Sequence, residues 1–308
     1  MAVSVERGLS PPSWSSEPAR LPRLLRRVRD LARLMRLDRP IGIWLLLWPT
    51  LWALWIAARG HPQRRLLAIF FVGTVLMRSA GCVINDFADR NIDPHVKRTR
   101  NRPLAARLVS PLEALVLFAV LVLAALALVL QLNALTVRLA LIGAALTLSY
   151  PFCKRFFPLP QFYLGLCFGW GIPMAFAATR GTVPRVGWLL FAAGVLWAGV
   201  YDTLYAMVDR DDDVRIGVRS SAILFADMDR FIVGAIQLMV LFALYLVGQN
   251  ALLGISFRWA LGVVAVLFLW QQWLIRTRQR EACFEAFLNN NYVGLVIFTG
   301  ILLDYSAR

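Results

Sequence analysis

The sequence predicts an all-α polytopic membrane protein: nine transmembrane helices in a bundle around a central cavity, with two Asp-rich motifs on the cytoplasmic side. Three observations lead there. First, 59% of the 308 residues are apolar and the mean hydropathy is +0.63, a composition of the bilayer class. Second, apolar runs recur along the whole chain, each close to the roughly 20 residues that a helix needs to cross about 30 Å of hydrocarbon. Third, two clusters of aspartates each follow such a run, in corresponding places of the two halves.

The elements follow in order. Residues 1–32 are a basic N-terminal arm, whose Pro/Ser stretch "SPPSWSSEP" predicts a disordered tip. The following "ARLPRLLRRVRD" predicts an interfacial helix on an anionic leaflet. No apolar core precedes residue 41 that would serve as a cleavable signal, and Glu6, Glu17 and Asp30 speak against a mitochondrial presequence. Residues 33–308 form a single transmembrane domain. Its spans centre on 41–58, 66–84, 112–131, 134–150, 160–178, 187–206, 230–248, 257–275 and 288–305. Backbone polar groups in lipid must be satisfied internally, and runs this long and apolar suit helices rather than barrel strands.

The net charge of +15 does not point to nucleic acid, because the cations are distributed by loop. With an odd number of spans and the N-terminus inside, 24 Lys and Arg face the cytoplasm, 8 face out, and Arg78 lies within a helix. Without the nine arginines that precede the first span the ratio is still 15 to 8. The positive-inside rule therefore makes the N-terminus cytoplasmic, with loops 85–110, 151–159, 207–229 and 276–287 on the same side. The remaining basic balance fits contact with anionic lipid. Only Lys97 and Lys154 among the 33 cations are lysines, and both fall in those loops. Cys82, Cys153, Cys167 and Cys283 show no CxxC spacing, and His61 and His95 are far apart, so no zinc site is expected.

The chemistry is concentrated in "GCVINDFADRNIDPHVKRTRNRPL" (81–104) and "YDTLYAMVDRDDDVRIGVRSS" (201–221). Asn85, Asp89 and Asp93 are four residues apart, and line one face if the helix continues past residue 84. Asp86 sits about 100° away. Asp209 and Asp213 repeat the spacing, and Asp202 lies seven before Asp209 on roughly the same face. One such cluster is ordinarily a solvated loop; two at matched spacing and on one side are not. Oxygen donors without His or Cys select a hard cation such as Mg²⁺, which shares its shell with substrate phosphates. Adjacent Lys97, Arg102, Lys154 and Arg155 then neutralise the rest of a diphosphate. Arg78 lies seven residues before Asn85, two turns deeper on that face; a charge at mid-span costs about 2.5–3.5 kcal/mol on insertion scales and marks a functional position.

These motifs resemble the intramembrane aromatic prenyltransferases of the UbiA superfamily, over residues 33–305. The resemblance rests on "NDFADRNID" with "HVKRTRNRPL" and on "YDTLYAMVDRDDDVRIGVRSSAILF". "RLDRPIGIWLLLWPTLWALW" and "SYPFCKRF" are similar to the 4-hydroxybenzoate branch in particular. The likeness implies a cavity open sideways to lipid, with Asp89, Asp93, Asp209 and Asp213 as the Mg²⁺ carboxylates and Asn85 beside them. It implies that Arg102 and Lys154 hold a polyprenyl diphosphate, that Arg78 and Tyr150 face the aromatic acid, and that the product enters ubiquinone biosynthesis. Asp202 is our candidate for the proton acceptor. The expected location is the bacterial inner membrane rather than the mitochondrial one.

Other readings fit less well. Other acceptors (naphthoate, homogentisate, haem) belong to sister branches. A cation-coupled transporter would place its acids near the midplane, on broken helices. An intramembrane aspartyl protease needs GxGD and a CDP-alcohol phosphotransferase needs DGxxAR; neither pattern is in the chain.

Overall fold

A computed structural model of the chain describes residues 23–91, 93–95, 99–153, 157, 159–216 and 220–308. Those residues form helices and turns: α1 Arg23–Leu34, α2 Ile41–Ala57, α3 Arg64–Ala88, α4 Pro111–Val129, α5 Ala134–Cys153, α6 Pro160–Gly169, α7 Gly171–Arg180, α8 Arg185–Ile216, α9 Ser221–Phe225, α10 Asp229–Asn250, α11 Ile255–Leu274 and α12 Arg280–Ser306. Among the described residues, eight segments are long and apolar enough to cross a membrane; one joins α6 to α7 and another joins α9 to α10. The 17-residue α2 is a further apolar helix, just short of that length.

Local sequence explains the helix ends. Ser110 caps α4 in a reciprocal capping box with Glu113, followed by Pro111 at the first helical position. The predicted span 160–178 is two helices, divided at Trp170. Pro173 has no N–H to return to Gly169, so the ladder breaks there. The Trp170 Nε1 is used elsewhere, donating to the Leu139 carbonyl at 2.7 Å. At the far end of α2, Arg180 donates to the Ala57 and Ile56 carbonyls at 2.7 and 3.2 Å, which satisfies groups that a helix C-terminus leaves open.

The α8 helix is central, packing against α6, α10 and α12. The bundle is apolar on its outer surface as well as in its core, as expected when the solvent is lipid, and a minority of buried amides join the helices within. Phe231, Leu238, Phe242, Trp259 and Leu269 point outward, whereas Gln237, Gln271 and Asn290 are buried. Three successive asparagines of α12 illustrate the point. Asn289 accepts from Gln271 of α11 at 2.9 Å, Asn290 from Trp197 of α8 at 3.0 Å, and Asn291 from Trp48 of α2 at 2.9 Å. Neighbouring residues on a helix point about 100° apart, so one run of amides ties one helix to three others. Gly294 lets this contact close: a Cβ there would lie 2.3 Å from Trp48 Cδ1.

The α1 helix runs through residue 32, where the sequence divides arm from membrane domain. Leu24, Leu25 and Val28 are exposed on it, whereas Leu34 is fully buried against the core beside α3 and α4. Arg27 pairs with Glu113 at the start of α4.

Candidate functional site

The second motif rides a continuous helix. Because α8 extends to Ile216, Asp202, Asp209 and Asp213 share one face, as their spacings of seven and four require. Asp209 is buried. The end of this helix is fastened by Arg280, whose Nε donates to the Val208 carbonyl at 2.8 Å. Below it, the fully buried Asp229 takes Arg278 at 2.8 Å and Arg210 at 3.4 Å. The hydrogen bonds with Asp229 hold the Arg278 pKa above its ordinary value.

The first motif differs from the expectation of a single helical face. Helix α3 stops at Ala88, Asp89 is its C-cap, and Asp93 opens a 3₁₀ turn, Asp93–His95. Pro94 keeps the α-helical ladder from resuming through the motif, because it has no N–H to return to Arg90. The four-residue relation survives as one bond, from the Asp93 N–H to the Asp89 carbonyl at 2.9 Å.

Arginines organise this motif. Arg36, just beyond α1, donates from Nη2 to both oxygens of Asp86 at 3.0 Å. Arg102 Nη1 bonds Asp93 Oδ2 at 2.9 Å and lies 3.1 Å from Asp86 Oδ1. Burial, the largest influence, pushes the Asp93 carboxyl above its ordinary pKa, and Arg102 only partly offsets it. Arg102 is itself buried, which opposes its charge, but Asp86 and Asp93 outweigh that and raise its pKa. Lys97, Lys154 and Arg155 lie outside the described residues.

The predicted acceptor residues do assemble. Tyr150 lies within electrostatic reach of Asp202, Cys167, Asp89 and Arg78, and Asp202 within reach of Arg78 and Asp209. The charges of Asp89 from the first motif and Asp209 from the second are thereby linked through Tyr150, Arg78 and Asp202. The Arg78 guanidinium stands over the Phe168 ring, 5.5 Å from its centroid. It also rests on Gly42: a Cβ there would come within 2.5 Å of Nε and Nη2. Only glycine admits this approach, so the arginine is fixed from two sides.

Three participants escaped the sequence reading. Asp86, only 1% exposed, was legible as a motif residue but not as a bridge between arginines. Arg36 carries no spacing signal. The Tyr201 hydroxyl is buried, has no hydrogen-bond partner among the described residues, and lies within reach of the Asp202 and Arg78 charges.

Among the described residues, no group of three or more His, Cys, Asp or Glu side chains converges to hold a metal unaided. The donors nevertheless fit Mg²⁺, which is commonly bound through one or two carboxylates and completed by waters and substrate phosphates. Asn85, Asp89, Asp93, Asp209 and Asp213 offer only oxygen for that purpose.

Comparison with known proteins agrees with this architecture. Residues 46–294 match the UbiA prenyltransferase family. The chain is 57% identical over 284 residues to the 4-hydroxybenzoate octaprenyltransferase of Aeromonas hydrophila, covering 92% of this chain and 99% of that protein. An apo structure of a UbiA homolog from Aeropyrum pernix K1 superposes with a TM-score of 0.74 at 26% identity, covering 85% of this chain and 97% of that one. A UbiA homolog from Archaeoglobus fulgidus bound to DMAPP and Mg²⁺ shares the fold, with a TM-score of 0.72 at 14% identity, over 91% of this chain and 100% of that one.

Proposed function

The chain belongs to the UbiA prenyltransferase family, and from that premise we propose that it transfers a polyprenyl group from polyprenyl diphosphate to 4-hydroxybenzoate. The new bond forms at the ring carbon ortho to the hydroxyl, as a step of ubiquinone biosynthesis. The observation that carries this reading is the near full-length identity to the Aeromonas hydrophila octaprenyltransferase. The gathering of Arg78, Tyr150 and Asp202 beside both acidic motifs supports it.

The residues divide the work. Asp89 and Asp93 on one side, and Asp209 and Asp213 on the other, would hold Mg²⁺ with Asn85 alongside. Such an ion would supply neutralisation of the charge that develops on the diphosphate as the C–O bond breaks. Arg102, with Lys97, Lys154 and Arg155, grips the phosphate oxygens. Arg78 holds the carboxylate of the aromatic acid and Tyr150 lines its ring. The allylic carbon, having lost diphosphate, is attacked by the ring carbon, and the proton displaced there passes to Asp202. Both motif loops and the N-terminus are placed at the cytoplasmic face of a bacterial inner membrane, where the arm meets anionic lipid.

The test is a mass-resolved prenylation assay on purified protein, offering one prenyl diphosphate with 4-hydroxybenzoate, naphthoate and homogentisate acceptors in turn. Product from 4-hydroxybenzoate alone is expected. Preference for another acceptor would move the chain to a sister branch. For orientation, a cysteine introduced at the exposed Asn101 should resist impermeant reagent from outside intact cells, while one at the exposed Asn250 should react. The reverse pattern would invert the topology.

A further inference from the structure

We propose that Asp86 is a positioning residue for diphosphate binding: it anchors one edge of Arg102 so that the other edge faces the phosphate. Asp86 is no part of the metal set, lying about 100° around the helix from Asn85. Its carboxylate is buried, and a buried charge is tolerated only when paired and hydrogen-bonded. Arg36 takes both of its oxygens at 3.0 Å, and Arg102 Nη1 lies 3.1 Å from Oδ1.

The geometry of Arg102 points onward. Among the described residues only Nη1 is engaged, between Asp86 and Asp93. Among the described residues its Nε and Nη2 carry no hydrogen bond. A guanidinium forks its donors in one plane, so fixing one end orients the Nε–Nη2 edge, the pair suited to a bidentate phosphate grip. Among the described residues, Arg36 and Arg102 pair with Asp86 and Asp93. Once Asp93 turns to its ligand, Asp86 is the carboxylate still holding Arg102, and Arg36 keeps Asp86 from being left with a single partner. Arg36 also joins this cluster to α1, so the end of the interfacial helix becomes part of the diphosphate site.

This inference rests on the reading of Arg102 as a diphosphate ligand, and the experiment separates the two. Binding of geranyl diphosphate and of 4-hydroxybenzoate is measured directly by calorimetry on purified wild type, Arg102→Gln, Asp86→Asn and the double variant, with melting curves to establish folding. Asp86→Asn should weaken geranyl diphosphate about 30-fold, the factor for losing one partner of a buried charge pair, and leave 4-hydroxybenzoate unchanged. In the double variant the losses should fall well short of additive. If Arg102→Gln binds geranyl diphosphate normally, the reading of Arg102 fails. If Arg102→Gln is impaired but Asp86→Asn is normal, or the losses add, the positioning role is overturned. Equal loss of both ligands would likewise reduce Asp86 to a structural pair. Should Asp86→Asn not fold, Asp86→Glu keeps the charge but lengthens the arm; a loss confined to geranyl diphosphate is expected, and normal binding overturns the proposal.

Discussion

The two aspartate motifs carry the same four-residue spacing but are built by different physics. In the second, Asp209 and Asp213 sit on the continuous α8 helix, so their relation is set by helix geometry. In the first, Asp89 ends α3 and Asp93 begins a separate turn, and guanidinium groups on Asp86 and Asp93 hold the backbone in place. One motif is spaced by a continuous helix, and the other is tied by ion pairs. The lesson is that a periodicity of four reports proximity, not helix.

The largest effect is expected where the two motifs are equivalent. Asp89→Ala and Asp209→Ala should each cut turnover by at least about 10²–10³-fold, the scale for removing one electrostatic stabiliser of a transition state, while the protein still inserts. EDTA should do the same to wild type, with recovery on adding Mg²⁺. Near-normal turnover in chelator would sink the metal assignment for both motifs together.

Arg78 sharpens the comparison, because it lies on the helix of the first motif but is proposed to serve the acceptor. Arg78→Leu should weaken 4-hydroxybenzoate binding about 30-fold, from a charge-pair loss of roughly 2 kcal/mol or more, with geranyl diphosphate nearly unaffected. Losses shared by both ligands would assign Arg78 to the first motif's ion-pair cluster instead.

A further substitution tests the support of the second motif. Asn290→Leu leaves the buried Trp197 indole N–H of α8 without its acceptor, a cost of about 1–3 kcal/mol. The thermal midpoint should fall by several degrees. Arg36→Gln, on the first motif's side, should lower diphosphate affinity more than the midpoint. If Asn290→Leu melts like wild type, the asparagine run is not what braces α8.

What was legible follows the same division. The spans were readable because lipid demands long apolar runs, and the ends of α2, α5 and α11 fall within a few residues of the reading. The Asp202, Asp209 and Asp213 face was readable because one helix carries it. The division at Trp170 was signalled by Gly169 and Gly171 just before Pro173, yet the uninterrupted apolar run hid it. Asp86 and Arg36 could not be paired from sequence, since fifty residues separate them and no periodicity links the end of α1 to α3. The 289–291 asparagines were an overt polar interruption of an apolar span; their three targets on α11, α8 and α2 exist only in the packed bundle.

The smallest expected effect separates the motifs most cleanly, because it compares the residue after each distal aspartate. Pro94 follows Asp93, and the exposed Val214 follows Asp213. Pro94 restricts both its own φ and the conformation of Asp93, so Pro94→Ala releases a segment that α3 does not continue through. Loss of such a restriction is worth about 0.4–1 kcal/mol. Expressed as a smaller binding-competent fraction, this is about a two- to fivefold loss of diphosphate affinity. Val214→Ala alters an exposed position of a helix that already fixes Asp213, and alanine is the better helix former; affinity should not change. Titrating both variants with geranyl diphosphate decides the matter. Equal responses would mean that the two motifs are held alike, and that the ion-pair cluster of the first does not substitute for a helix.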